Sequence, residues 1–175
     1  PVNSTIEATI LFIHGASCSL LDPYFTSSDL CLQDMQMLFV DRPGHGQSEQ
    51  GPAENIRPDA QADAIARLMQ IHGIDNAIIV GHSYGGAVAA ALAVRHPERV
   101  AGLIFLSPAV YPWVGGISWY NNLAKAPIIG ALFSLLVAPT IGLLSLKKAM
   151  KLVFTPNKYP SGYTSWTKAW QTLRP

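Results

Sequence analysis

Along residues 8–109 the apolar positions fall in short unbroken runs rather than in alternation. "ATILFIHG" (8–15), "MQMLFVDRPGHG" (35–46), "NAIIVGHS" (76–83) and "VAGLIFLSPA" (100–109) each hold a compact apolar stretch that gives way to glycine or polar residues. Unbroken runs of this kind predict strands buried on both faces, as in a parallel sheet. Between them, "RPDAQADAIARLMQIHG" (57–73) predicts a helix. Pro58 lies in its first turn, Gly73 stops it, and Ala64, Ile65, Leu68, Met69 and His72 fall at helical spacing. "YGGAVAAALAVRHPERV" predicts a second helix that ends before Pro97. Its small residues would let it lie close to a sheet. Strand and helix therefore alternate, which predicts an α/β fold with a doubly wound, mostly parallel sheet. In such folds ligands bind at the carboxyl ends of the strands, so the loops "HGASCS", "DRPGHGQS", "GHSYGG" and "LSPAVYP" mark the expected rim.

The pattern changes after residue 109. "SWYNNLAKAPIIGALFSLLVAPTIGLLSLKKAMKLVF" (118–154) is apolar and helix-prone, with no charged side chain between Lys125 and Lys147. That length could cross a bilayer, but Pro127, Pro139 and Gly142 break it into short pieces. The expectation is a set of short helices over an apolar cavity, with contact to a membrane surface through residues 126–154 as the alternative. Charge divides the chain at the same place. All 11 acidic side chains lie within residues 1–107, and residues 108–175 carry only basic charge. The reading is thus a core region over 1–109 and a helical segment over 110–175.

Composition narrows the function classes. Apolar residues make up 49% of the chain, which excludes a disordered protein, and a formal net charge of +1 gives no case for nucleic-acid binding. Cys18 and Cys31 are too few and too scattered for a disulfide framework or a metal site. No motif calls for a cofactor. Residues 1–9 lack a secretory pattern, so the expected location is cytoplasmic or membrane-associated rather than secreted. The first residue is proline, not methionine, which suggests that the natural start lies elsewhere.

The chemistry concentrates at Gly81-His82-Ser83-Tyr84-Gly85, which fits G-x-S-x-G between a strand and a helix. A serine at such a turn is held in a strained conformation with its hydroxyl exposed above the sheet. It needs a base and an oxyanion site, and the helix that opens at Tyr84 turns its free N–H groups toward developing negative charge. The bland alternative is a serine that caps the helix. In "FIHGAS", Ala16 is the candidate for a second oxyanion N–H, with Ser17 next, while Gly15 and the His14 side chain shape the loop. Asp41 and His45 in "DRPGHGQS" read as loop supports: Asp41 would accept loop N–H groups and pair with Arg42 or another cation.

Taken together, "FIHGAS", "DRPGHGQS" and "GHSYGGAVAAALAVRHPERVAGLIFLSPA" resemble the α/β-hydrolase superfamily over residues 8–109, with 110–155 similar to the start of its helical cap. The resemblance implies Ser83 as nucleophile, the N–H groups of Ala16 and Tyr84 as the oxyanion hole, and Gly81 and Gly85 as supports of the turn. It implies a serine hydrolase acting on an ester, lactone or related acyl bond of a hydrophobic small molecule, without cofactor or metal. Haloperoxidase, carbon–carbon hydrolase and acyltransferase chemistry are the alternatives within the fold, and a non-catalytic membrane-associated binding protein is the alternative outside it.

The family's acid and histidine follow the serine in chain order. After Ser83 the chain has only His96 and Glu98, in a connection expected at the opposite rim, and residues 108–175 contain no Asp, Glu or His. The expectation is that the acid and base lie outside this chain, which alone would turn over little.

Overall fold

Each apolar run forms a strand: β1 (Ala8–Ile13), β2 (Met35–Val40), β3 (Ala77–His82) and β4 (Val100–Leu106). Helices α1 (Leu21–Ser27), α2 (Pro58–Ile71) and α3 (Tyr84–Arg95) connect them. The structure is a computed structural model that describes residues 8–16, 18–27, 30, 35–111, 129, 148, 151–152 and 155–158. It contains two compact units, Pro1–Pro112 and Trp113–Pro175. In the second unit, the backbone is helical at Ile129, Lys148, Lys151 and Leu152. The expected helical segment, and the membrane contact through 126–154, otherwise lie outside the described residues. Among the described residues no helix is long and apolar enough to cross a membrane.

The sheet has the order β2-β1-β3-β4, and all its pairings are parallel. The side-chain alternation of β1 explains how both faces are filled. Leu11 and Ile13 point into a core with Val40, Ile65, Met69, Ile79, Val88 and Leu92, which α2 and α3 cover. Ile10 and Phe12 point to the other face with Val80. There Phe12 stacks on Phe39 at 4.8 Å, and Tyr24 of α1 meets the Phe39 ring edge-on. Each such aliphatic or aromatic side chain contributes about 1.5–3 kcal/mol when fully buried. Register places the functional loops: Ile13 lies level with Val40 and with Gly81, so the segments after all three emerge together.

The structure adds to the sequence pattern at two helices and departs from it at the outer strands. On α2 the inward face is Ala62, Ile65, Ala66 and Met69, whereas Ala64, Leu68 and His72 are exposed. The small Ala62 and Ala66, both buried, lie in the same core as Val88, Ala89 and Leu92 of α3. Burial on both faces holds for β1 and β3 but not for the outer strands. Leu103, Ile104, Phe105 and Leu106 of β4 are all exposed, because β4 is last in the sheet order. Finally, α1 had no periodic signal. Seven residues with Pro23 in the first turn are too few to show one, and the helix is begun by Asp22, whose carboxylate accepts the Ser19 N–H.

Candidate active site

Ser83 sits at the junction of β3 and α3 with φ 50° and ψ −119°. A non-glycine residue in that region carries strain of about 1–3 kcal/mol, held only by what surrounds it. Here the surroundings are specific. The Ser83 N–H donates to the Leu106 carbonyl at 3.0 Å, and the Ser83 carbonyl accepts from Gly86 N–H and Ala109 N–H at 2.9 and 2.8 Å. The turn is thereby bound to its own helix and to the end of β4, where Ser107 also has a positive φ of 45°. Ser83 occupies the N-cap position of α3, yet its hydroxyl makes no capping hydrogen bond. The first-turn N–H groups of Tyr84 and Gly85 have no intrahelical acceptor.

The glycines around the turn are explained by space. A Cβ on Gly85 would lie 2.2 Å from the Ile13 carbonyl oxygen and 2.6 Å from that of His14. On Gly81 it would meet the Gly85 carbonyl oxygen at 2.7 Å. On Gly15 it would lie 3.1 Å from both Ser83 Cβ and His82 Nδ1. The loop after β1 therefore rests against the serine turn, bringing His14, Gly15, Ser83 and Gly85 together. Ala16, next in that loop, is exposed. Ser17 and Cys31 lie outside the described residues.

Under this loop is a buried cation. Arg42, 1% exposed, donates from Nε to the His14 carbonyl at 3.0 Å and from Nη2 to the Gly15 carbonyl at 2.8 Å. Its Nη1 donates to Gln61 Oε1 at 2.9 Å, Nη2 lies 3.1 Å from His45 Nε2, and the Tyr84 ring covers the guanidinium at 4.9 Å. Among the described residues no carboxylate pairs with it. Burial lowers its pKa to about 10, which leaves it charged at neutral pH. A buried cation without a counter-ion is costly, and neutral oxygens carry the compensation here. Asp41 accepts loop N–H groups as expected, those of Leu20 and Gln47, but among the described residues it forms no ion pair with Arg42. That departure has a cause: both carboxylate oxygens are already occupied by the loop.

His14 and His45 are neutral scaffolding. Arg42 N–H donates to His14 Nε2 at 3.1 Å, so Nδ1 carries the proton and donates to the Gly15 carbonyl at 2.9 Å. Burial first, then the Arg42 charge, lowers the His14 pKa to about 3. His45 is lowered mainly by burial, and its Nδ1 donates to the Pro43 carbonyl. Burial raises the Cys18 thiol to about 11, which disfavours it as a nucleophile.

His96 and Glu98 are elsewhere. Twelve-residue α3 separates Ser83 from His96, about 18 Å of helix. His96 Nε2 bonds to Asp63 Oδ1 at 2.8 Å, beside Arg95. Among the described residues no group of His, Cys, Asp and Glu could hold a metal ion.

With this geometry in view, comparison with known proteins is decisive for the family. Residues 8–163 match the alpha/beta hydrolase fold. The chain belongs to that family. The hydrolase-fold chain is 41% identical over 100 residues to the dihydrolipoyllysine-residue acetyltransferase component of the acetoin cleaving system of Cupriavidus necator, covering 57% of this chain and 26% of that protein. It is 40% identical over 79 residues to lipase LipV of Mycobacterium tuberculosis, covering 45% and 30%. The solved structure of Est816, described as an N-acyl homoserine lactone degrading enzyme, superposes with a TM-score of 0.53 at 28% identity, covering 78% and 49%. The chain thus spans a quarter to a third of the length of these curated relatives. Esterases and lipases recur among its homologues.

Arg42 is the residue of this hydrolase fold that sequence reasoning passed over. Its signal was present: an arginine two positions beyond a strand that runs into the interior. Nothing in the sequence alone supplied its partners, which come from His14, Gly15 and Gln61.

Proposed function

We propose that the full-length protein is a serine hydrolase that cleaves an ester, lactone or related acyl bond of a hydrophobic small molecule. Ser83 Oγ attacks the acyl carbonyl carbon, and its proton passes to a histidine base other than His14, His45 and His96. The carbonyl oxygen gains charge facing the N–H groups of Ala16 and Tyr84. The carbon–oxygen bond to the leaving alcohol then breaks, and the alcohol takes the proton from the base. Water, deprotonated by the same base, releases the acid and restores Ser83.

The observation that carries this reading is the backbone of Ser83. A strained serine at a strand-to-helix turn, with no capping bond from its hydroxyl, is better suited to attack than to cap. Gly15 packed against it brings a second loop to the same point. The names of the lipase and lactone-degrading relatives support the substrate class. The test is labelling of the full-length protein with a fluorophosphonate, followed by peptide mapping. Labelling at Ser83 that disappears in Ser83→Ala, together with loss of p-nitrophenyl ester hydrolysis, is expected. Equal labelling of Ser83→Ala would overturn the reading.

A further inference from the structure

Gly15 and Ala16 share one peptide unit, and a planar trans peptide fixes its C=O and N–H antiparallel. Whatever holds the Gly15 carbonyl therefore decides where the Ala16 N–H points. Two buried donors hold that carbonyl: His14 Nδ1–H at 2.9 Å and Arg42 Nη2 at 2.8 Å. The preceding carbonyl, of His14, is held by Arg42 Nε at 3.0 Å. One guanidinium thus grips two consecutive carbonyls in its fixed fork, as the planar donor array of arginine permits and lysine does not. The guanidinium is itself fixed by Gln61 Oε1, His45 Nε2 and the Tyr84 ring. Tyr84 begins the helix that follows Ser83, and its hydroxyl donates to the Ile56 carbonyl at 2.6 Å. The loop after β1 and the turn after β3 are therefore registered against one another through Arg42.

We infer that Arg42 is a positioning residue for the oxyanion site: by clamping the His14 and Gly15 carbonyls it turns the Ala16 N–H toward the space above Ser83. The inference rests on the serine-hydrolase reading given above. It assigns Arg42 no contact with substrate. It also explains why a cation is buried without a carboxylate: an acid here would compete with the carbonyls for the guanidinium donors and release the peptide. The lowering of the His14 and His45 pKa by burial fits the same role, because a proton on either ring would add a second buried charge and remove an acceptor of Arg42 N–H bonds.

The test uses the full-length protein, a p-nitrophenyl ester, fluorophosphonate titration of active serine and an alkyl trifluoromethyl ketone, whose adduct carries an oxyanion. The variants are Arg42→Met, Arg42→Lys and His14→Gln. Loss of a single oxyanion donor lowers kcat by about 10²–10³-fold. A misaimed donor in Arg42→Met is expected to lower kcat per titrated serine at least ~30-fold, with KM changed less than about threefold. Ketone affinity should fall by the same factor as kcat. Arg42→Lys keeps charge but not the fork, so it should lose nearly as much, and it carries the test if Arg42→Met does not fold. A purely structural role would lower the number of titratable serines and leave kcat per serine intact. Wild-type kcat per titrated serine in Arg42→Lys and His14→Gln would overturn the inference while leaving the hydrolase reading standing. Absence of labelling in the wild type would remove both.

Discussion

Two polar clusters lie about one helix length apart on the same sheet, and they are built on opposite principles. At the carboxyl ends of the strands, Arg42, His14 and Gln61 are almost inaccessible and are held by carbonyls and rings rather than by carboxylates. Near the far end of α3, Asp63, Arg95 and His96 are partly exposed and satisfy each other as ions. The first arrangement fixes backbone: Arg42 holds the His14 and Gly15 carbonyls of the loop that rests against the Ser83 turn, and is braced by Gln61 and His45. The second ties α2 to α3 by their side chains and fixes no backbone group beyond them. A polar group taken out of water must have its bonds made, so the buried cluster has one geometry. The exposed cluster can exchange its bonds for water. Precision therefore sits at the serine, and the only histidine that follows Ser83 in the chain belongs to the tolerant cluster, with Glu98 3.8 Å from its ring.

The severest way to break the first cluster is to push its two loops apart. Gly85→Val would place side-chain carbon within 2.2 Å of the Ile13 carbonyl and 2.6 Å of the His14 carbonyl. Backbone oxygens of a central strand cannot yield as a flexible side chain would. Overpacking commonly costs 1–3 kcal/mol, and here a loss of ~3 kcal/mol or more is expected, with fluorophosphonate labelling of Ser83 abolished. Urea unfolding followed by circular dichroism checks the first and labelling checks the second. A soluble Gly85→Val protein that still labels would show that the loops are not pressed together as the geometry requires.

How much of this contrast can be read from sequence depends on the range of the interactions. The four strands were legible because unbroken apolar runs need only local reading, and the serine turn was legible because strand, glycines and helix are contiguous in residues 77–95. The inward face of α2 was not legible, because its hydrophobic spacing allows two stripes. Burial of Ala62 and Ala66 in the core shared with α3 marks which stripe faces inward. Exposure of β4 depends on sheet order, which no single run encodes. At the site the partners of Arg42 were illegible for the same reason. His14 and Arg42 are 28 apart in sequence and meet because Ile13 and Val40 share a register position. Asp41 was legible by half: it accepts loop N–H groups, those of Leu20 and Gln47, as its place at a strand end implies, but the ion pair that sequence proximity to Arg42 suggested is not formed.

A middle-sized effect should come from the neutral histidine of the buried cluster. His14 has its pKa lowered from 6.5 to about 3, first by burial and then by Arg42, with smaller contributions from His45 and His82. Below 6.5 the unfolded chain takes up a proton that the folded chain refuses. Stability from this group is therefore complete above pH 6.5 and falls as pH drops through the window down to about 3. Between pH 7.5 and 5 the loss is ~2 kcal/mol. His14→Gln, which keeps polar atoms but cannot titrate, should flatten the stability profile over that interval although it is less stable at pH 7.5. An unchanged slope in urea midpoints would place the proton uptake elsewhere.

The smallest effect belongs to the exposed cluster, and its smallness is what gives it value. Asp63 accepts from Arg95 Nε and Nη2 at 2.8 and 2.7 Å and bonds to His96. Arg95, then His96, lower its pKa from 3.8 to about 2. A carboxylate with a lowered pKa stabilises the fold above its unfolded value, so this contribution is present above pH 3.8 and lost as pH falls toward 2. Exposed ion pairs are heavily screened, so Asp63→Asn should shift the urea midpoint at neutral pH less than either change above. The shift should shrink further in about 1 M salt, where the Debye length is only ~3 Å. Ester hydrolysis per titrated serine should be unaltered, since the bonds of Asp63 end on α3 residues a helix length from Ser83. A fall in kcat of Asp63→Asn with its stability intact would mean that the exposed cluster reaches the serine after all, and the two ends of the sheet could no longer be treated as separate.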